Sequence, residues 1–536
     1  MNARRRAVWG LFVGFLAGSV ALRVADLVLD GLSVAGAGGP ALAVLVVAAV
    51  GAVLRPLLAR LALALGWLGV FLLAVLGDVV VVWVGLTITP GVEIDGFGDA
   101  FVAAWIVALA LTVARWSLGV ADDDELVARI VRFGRRRFGP VVPNDTPGVV
   151  FVQLDGVSEP LLRFALLAGN LPTLDRWVRS GRHAVTGWTT CVPTTTPVSQ
   201  AGILHGHNEG IPAFRWWEKD GDRLLVANHP ADAAVIEQRI SDGRGLLADD
   251  GASVSNIFTG DAEHALLTMA GVGADTMRGL GPSRDWVAFF LAPYGFFRLV
   301  LLALGEMVKE RFQARREVRT DRRPRGERPW SYVGLRAATN VVQRQWSTVL
   351  VAEQMLRGRS SIYVDYVDYD EVAHHAGIAR PESLATVEGV DRVLGQLEAV
   401  AAHAPRPYRF VVLSDHGQSQ GPTFADAHEP LEDLVRRLMG GVGDGLGDVR
   451  VARDDEAYGP LNTLLTEAAR GGGLAGRVTS GALGDHMAGG SVAVQPSVTP
   501  DREVGDDAER PELVVVGSGN LGAIWFPRVP GRLTLE

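Results

Sequence analysis

The chain has 536 residues, 48% of them hydrophobic, with a mean hydropathy of +0.20 and a formal net charge of −9. It is too long for one ordinary domain, too apolar for a typical soluble enzyme of this size, and too acidic for nucleic acid to be an obvious partner. Its lone cysteine, Cys191, excludes an intrachain disulfide.

The apolar excess sits mostly in the first 120 positions. Four runs, 7–29, 41–58, 61–86 and 101–113, carry few charges. A spanning helix needs about 20 residues, so four membrane helices are expected, the last of them short. No small-residue cleavage site follows the first run, which argues for a retained helix rather than a removed leader. Arg4, Arg5 and Arg6 precede it, Arg55 and Arg60 flank the expected turn between the second and third helices, and Arg115, Arg129, Arg132 and Arg135 to Arg137 follow the fourth. Loops 30–40 and 89–99 carry no Lys or Arg. All positive ends therefore fall on one side, which places both termini in the cytoplasm. Arg23 and Asp26 lie three apart on one helix face and are expected to pair. With Asp78, they read as helix packing rather than a transport site.

Positions 122–138 predict an amphipathic helix with an acidic start and a basic end, favourable for the helix dipole, and 140–147 a linker. From Val149 onward β-rich runs alternate with helical patterns, which predicts an α/β sheet with crossover helices. The helix expected over 382–402 places Leu384, Val387, Val390, Val393, Leu394 and Leu397 on one face. The nearly apolar run 286–308 contains Pro293, Gly295 and Arg298. A single crossing there would separate Asp155 from Asp415, so an interfacial segment is expected. Lys309, Arg311, Arg315, Arg316, Arg319, Arg322, Arg323, Arg325 and Arg328 follow it. They suit docking on anionic lipid, at about 1 kcal/mol per charge.

Three strand ends carry acids and imidazoles. Asp155 ends the run from Val149, Asp370 and His374 follow the run from Ser361, and Asp415-His416 ends the run from Phe410. These are the ligand types that hold two divalent metals in a hydrolase, and sites in such sheets form at the carboxyl ends of strands. The stretch Cys191-Val-Pro-Thr-Thr-Thr-Pro197 supplies hydroxyls, which become nucleophiles when a base or metal removes the proton.

Taken together, Leu-Asp-Gly at 154–156, Leu-Pro-Thr-Leu-Asp-Arg-Trp at 171–177, Pro-Thr-Thr-Thr-Pro at 193–197, Asp-Glu-Val-Ala-His-His-Ala-Gly at 370–377 and Ser-Asp-His-Gly at 414–417 resemble, in content and order, the nucleotide pyrophosphatase/phosphodiesterase branch of the alkaline phosphatase superfamily. The resemblance implies that Asp155, Asp415 and His416 hold one metal, that Asp370 and His374 hold the other, and that Thr196 faces both as nucleophile. Thr195 is a rival nucleophile and Asp368 a rival ligand. The implied cofactors are two divalent ions, Zn or else Mn. Family members take a third ligand to the second metal from a His-Gly near the C-terminus, whereas His428 and His486 here lack the following Gly. The family's phosphoryl-contacting Asn has no clear match, and Arg215 is expected in its place. A sulfatase-type Cys-x-Pro-x-Arg is excluded because Thr195 stands where the Arg is required. The N-terminal helices resemble small four-helix phage holin-like modules.

The expected organisation is an all-α transmembrane domain over 1–120, a helix and linker over 121–147, and an α/β, alkaline-phosphatase-like hydrolase over 148–536. Within the last, 286–330 is expected to be membrane-interfacial and 470–510 a flexible loop, and the chain reads as shortened before the fold closes. The expected function is a membrane-anchored, metal-dependent phosphodiesterase or pyrophosphatase on the cytoplasmic side, with a phosphodiester or pyrophosphate substrate and the lipid bilayer as partners. The alternatives are a holin-like scaffold with an impaired hydrolase domain, and another phosphatase or phosphomutase of the superfamily.

Overall fold

A computed structural model describes residues 3–117, 122–138, 143–271, 295–322, 328–422, 424–439, 449–452, 487–488, 491–492, 510–519, 521–531 and 533–534. They fall into two compact units.

The first unit is helical: α1 (Ala3–Val28), α2 (Gly39–Thr87), α3 (Phe97–Ser117) and most of α4 (Asp122–Phe138). Val8–Val28, Gly39–Leu58 and Phe97–Ala114 are each long and apolar enough to cross a membrane, and Val75–Thr87 is a shorter apolar stretch. Helical backbone runs without a break from Gly39 to Thr87, yet it cannot be straight. A Cβ on Gly85 would touch Val47, one on Gly51 would touch Val81, and Arg55 pairs with Asp78 at 3.0 Å. In a straight helix Val47 and Gly85 would stand about 57 Å apart. The midpoints of the three pairs all fall near residue 66, so α2 reverses there. The turn expected between the second and third runs is thus displaced by about six residues. The physical reason is the acid in the opposite limb: turning later lets Arg55 neutralise Asp78, which is buried, instead of leaving both charges unpaired among apolar helices.

At the other end of the bundle the two loops without basic residues meet. β1 (Leu32–Val34) pairs antiparallel with β2 (Val92–Ile94). Arg23 pairs with Asp26 at 2.6 Å, as the spacing predicts, and donates to the carbonyls of Val34 and Gly36, while Asp26 accepts from the Val34 N–H. Helix α9 (Gly295–Arg319) opens in this unit, with Phe297 fully buried and its ring 4.7 Å from that of Trp105.

The second unit is an α/β fold. Its main sheet has the order β7–β6–β8–β3–β9, all parallel: β3 (Gly148–Leu154), β6 (Gly251–Val254), β7 (His264–Leu266), β8 (Ser361–Tyr366) and β9 (Tyr408–Leu413). Val150, Val152, Ile362 and Val364 are fully buried, as strands covered on both faces require. The crossovers are helical: α5 (Glu159–Leu167), α6 (Pro172–Arg179), α7 (Thr196–His205), α8 (Pro230–Ile240), α10 (Trp330–Ala337), α11 (Arg344–Arg357), α12 (Asp368–Ala376) and α13 (Pro381–Ala401). Along α13 the expected face is inside, with Val387, Val390, Val393, Leu394 and Leu397 buried and Leu384 half-buried. A hairpin, β4 (Arg215–Glu218) with β5 (Arg223–Val226), lies against a smaller sheet of β10 (Val449–Ala452), β11 (Leu513–Ser518) and β12 (Leu521–Trp525). Trp217, Val514 and Val516 form their shared core.

The basic run from Lys309 to Arg328 is not one surface. Arg328 was grouped with a lipid-facing basic run, but its side chain is only 4% exposed. It pairs with Glu310 at 3.1 Å and Glu317 at 2.9 Å, and Arg336 also binds Glu310. Two buried acids on α9 draw it inward, because burying either charge alone is costly. Most of 470–510 lies outside the described residues, as do 286–294, Arg323, Arg325 and His486. Within 470–510, Met487–Ala488 pairs with Ser491–Val492.

Candidate active site

The register of the main sheet builds the site. β3 pairs in parallel with β8, Leu154 opposite Tyr366, and with β9, Gln153 opposite Leu413. Three adjacent strands therefore end at one level. The next residues are Asp155 after β3, the α12 start after β8, and Ser414-Asp415-His416 after β9. Among the described residues, Asp155, Asp370 and His416 each bring one ligand-type atom to a place where all three lie within 4.8 Å of one another. This cluster draws from both half-sites expected from the sequence.

The remaining candidates surround it. Asp415 is fully buried, with its Oδ1 3.4 Å from the Gly156 N–H and its Oδ2 3.6 Å from His416 Nε2. His374, one helical turn beyond Asp370, places Nε2 3.1 Å from Asp370 Oδ2. Gln418 donates to both the carbonyl and the carboxylate of Asp370. Thr196 is the first residue of α7, where the helix dipole favours developing negative charge. Its Oγ1 lies 3.2 Å from His416 Nε2 and 3.5 Å from Asp155 Oδ1. Thr195 is the residue before the helix, and its buried Oγ1 has no hydrogen-bond partner among the described residues. Asp368 pairs with Arg344 at 3.1 Å.

Arg215 is buried in β4, with its backbone N–H 3.4 Å from Ser518 Oγ. His205 is held by Glu237 at 2.9 Å and His207 by the Ile240 carbonyl at 2.8 Å. His375 packs its ring on Tyr332 at 4.0 Å, and His428 packs on Phe424 at 4.9 Å. Cys191 is half-buried near Ser199.

The electrostatics call for a cation. Burial, then the charges of Asp415, Asp365 and Asp370, push the Asp155 carboxyl well above the usual carboxylate range. Asp365, on β8, is driven up likewise by burial, Asp415, Asp370 and Asp368. Burial also works against ionised Asp370, but the charge and hydrogen bond of His374, with help from His416 and Gln418, outweigh it and hold Asp370 below the usual range. Burial disfavours charged His416, but Asp415, Asp370 and the Gly417 carbonyl overcome that and raise it. Asp415 Oδ2 and Asp365 Oδ1 are buried with no hydrogen-bond partner among the described residues. Such oxygens cost free energy unless something positive meets them. The donor set, carboxylates with imidazoles, fits Zn or Mn.

Asp365, Gln418, Gln153 and Gln200 escaped the sequence reading. For Asp365 and Gln153 the available signal was a polar residue on a strand whose neighbours are apolar or aromatic; Gln200 on α7 and Gln418 after β9 carry no such signal.

Residues 149–464 match the family model described as type I phosphodiesterase / nucleotide pyrophosphatase. The chain belongs to that family. It is thus a phosphoric-ester hydrolase, and the parallel sheet with flanking helices is the domain that carries the activity. Residues 9–113 match the model described as mycobacterial 4 TMS phage holin, superfamily IV, and with three apolar helices of spanning length they make the chain a membrane protein. Neither a curated protein nor a solved structure gives a significant match.

Proposed function

We propose that this membrane-anchored hydrolase cleaves phosphodiester or pyrophosphate bonds by attack of Thr196 on phosphorus at a two-metal site. One observation carries the reading: the Thr196 hydroxyl, at the start of α7, meets an Asp155/Asp370/His416 cluster built from three flush strand ends. Asp155, Asp415 and His416 would hold one divalent ion, and Asp370 and His374 the other. Ions bound there supply Lewis acidity and neutralise charge on the transferring group. The chain's own residues do the rest. Thr196 gives up its hydroxyl proton and attacks in line: the Oγ1–P bond forms as the P–O bond to the leaving alcohol or phosphate breaks, that group departs on the opposite side and takes up a proton, and Thr196 is left as a phosphothreonine, while the α7 N-terminus favours the charge that develops beside it. Water then attacks the phosphorus, the Thr196 Oγ1–P bond breaks, the product phosphate monoester leaves, and Thr196 regains its hydroxyl proton. Arg215 is the candidate phosphate-oxygen donor, and it can act only if the β4 strand presents its guanidinium to substrate.

The test is Thr196→Ala on the full chain in detergent, with bis-p-nitrophenyl phosphate as substrate and metal content measured in parallel. Lost turnover with metal retained supports the assignment, and unchanged turnover removes it. A wild-type chain with neither bound metal nor turnover would favour the scaffold alternative. The arrangement of basic ends proposes that the hydrolase domain faces the cytoplasm. Accessibility of the native Cys191 and of an exposed cysteine introduced at Arg244 to impermeant thiol reagents, in intact against opened cells, decides that orientation.

A further inference from the structure

One helical turn beyond Thr196 on α7, Gln200 is fully buried, and its amide is used at both ends. Its Nε2 donates to Asp365 Oδ2 on β8 at 2.9 Å and to Gln153 Oε1 on β3 at 3.3 Å. Its Oε1 accepts from the Ile257 N–H, in the chain just after β6, at 3.0 Å. The Ile257 N–H fixes which end is which, since a backbone N–H can only donate. Tyr363 on β8 adds its hydroxyl to the same Gln153 oxygen at 2.7 Å. One side chain thus ties the helix that opens with Thr196 to two strands and to the loop after a third. Asp365 lies outside the Asp155/Asp370/His416 group, and neither it nor Gln200 has a part in the proposed reaction.

We propose that Gln200 and Asp365 are positioning residues: a buried strut that holds the Thr196 hydroxyl at its place beside Asp155 and His416. The proposal rests on Thr196 being the nucleophile. A helix N-terminus presents its first residue only as accurately as the helix is held, and an error of about 1 Å in a reacting group costs on the order of 10²-fold in rate. Apolar packing alone would leave α7 free to slide. Three directed hydrogen bonds to a buried amide fix both its height and its rotation.

The test compares Gln200→Leu, Asp365→Leu and Asp365→Asn in the full chain, reading kcat, KM, bound metal and thermal midpoint. The strut predicts that both leucine variants lose about 10²-fold in kcat, with KM changed by less than about 3-fold and metal content unchanged. Asp365→Asn keeps an acceptor oxygen for Gln200 and should rescue most of the turnover. If Asp365→Asn falls as far as Asp365→Leu, or sheds metal, Asp365 acts through its charge and the strut is wrong. Wild-type kcat in Gln200→Leu also overturns it. Should the leucine variants fail to fold, Gln200→Asn draws the amide back by one methylene. The same kcat loss at constant KM is then expected, and an unchanged kcat overturns the proposal. Thr196→Ala, run alongside, separates the two readings. Full turnover there removes the nucleophile whatever Gln200 does. Lost turnover there, with intact turnover in the strut variants, removes the strut alone.

Discussion

Gly156 is the most exposed point of the site's geometry to a small change. It follows Asp155 at φ +70°, a conformation that costs an L-residue about 1–2 kcal/mol. A Cβ there would also stand 2.1 Å from Asp370 Oδ1 and 2.9 Å from Asp370 Cγ. Ordinary contact begins near 3.4 Å, so the Asp370 carboxylate must withdraw by about 1 Å. It cannot do so freely, because Gln418 holds that Oδ1 and His374 holds Oδ2. Displacement of a group at the reacting centre by that distance costs on the order of 10²-fold. Gly156→Ala should therefore lower kcat/KM about 100-fold, weaken metal binding, and destabilise the metal-free chain by about 1–2 kcal/mol. The assay is metal per chain against added Zn or Mn, turnover of bis-p-nitrophenyl phosphate, and unfolding in chelator. An alanine variant with wild-type turnover and metal uptake would refute the close approach of Gly156 to Asp370.

Other outcomes follow from the same contacts. In a Cys191→Ser background, the pair Val47→Cys with Gly85→Cys should crosslink on oxidation, because α2 folds back at residue 66; a chain that stays uncrosslinked would mean an unreversed helix. Glu310→Ala should cost about 3–5 kcal/mol, since it leaves Arg328 and Arg336 buried without their shared acid; denaturant unfolding of the solubilised chain measures it. In chelator, stability should fall as pH rises. Asp155, Asp365 and His416 keep protons in the folded chain beyond their ordinary 3.8 and 6.5, so the folded state binds more protons than the unfolded one until each folded value is passed. Asp370, shifted the other way, contributes stability that is lost only as pH falls below 3.8. Metal replaces those protons, so the rise in thermal midpoint on adding Zn or Mn should grow between pH 5.5 and pH 8. A metal effect that shrinks over this range would contradict the assignment of the cluster.

The strand ends were legible because chemistry and secondary structure coincide there. A β-rich run that stops at an acid, followed by an imidazole at helical spacing or directly adjacent, carries its meaning in a few residues. That the second and third apolar runs reverse was legible, but the position of the reversal in α2 was not. Hydropathy is almost uniform from 61 to 86, and Arg55 and Arg60 look like loop residues until Asp78 is found across from Arg55. The layer beneath the site was hidden for a different reason. Gln153 and Asp365 sit on strands where a polar residue ordinarily marks a solvent-facing side, but a parallel sheet covered on both faces has no such side. Arg328 was misplaced by its neighbours, since a run of arginines reads as one surface although Glu310 and Glu317 take this one inward.

The central place of β3 has an evolutionary and engineering consequence. Both halves of the site are phased against this one strand, Asp155 by its own end and the other ligands by the neighbours paired to it. Between β7 and β8 more than ninety residues intervene, including a helix that opens in the membrane unit, and the ligands still arrive in phase. Length in the connections is therefore almost free, whereas one residue added to or removed from β3 would turn its side chains over and carry Asp155 out of step with two partners at once. A lineage can rebuild the loops, and with them substrate choice and membrane attachment, while this seven-residue ruler stays uncut.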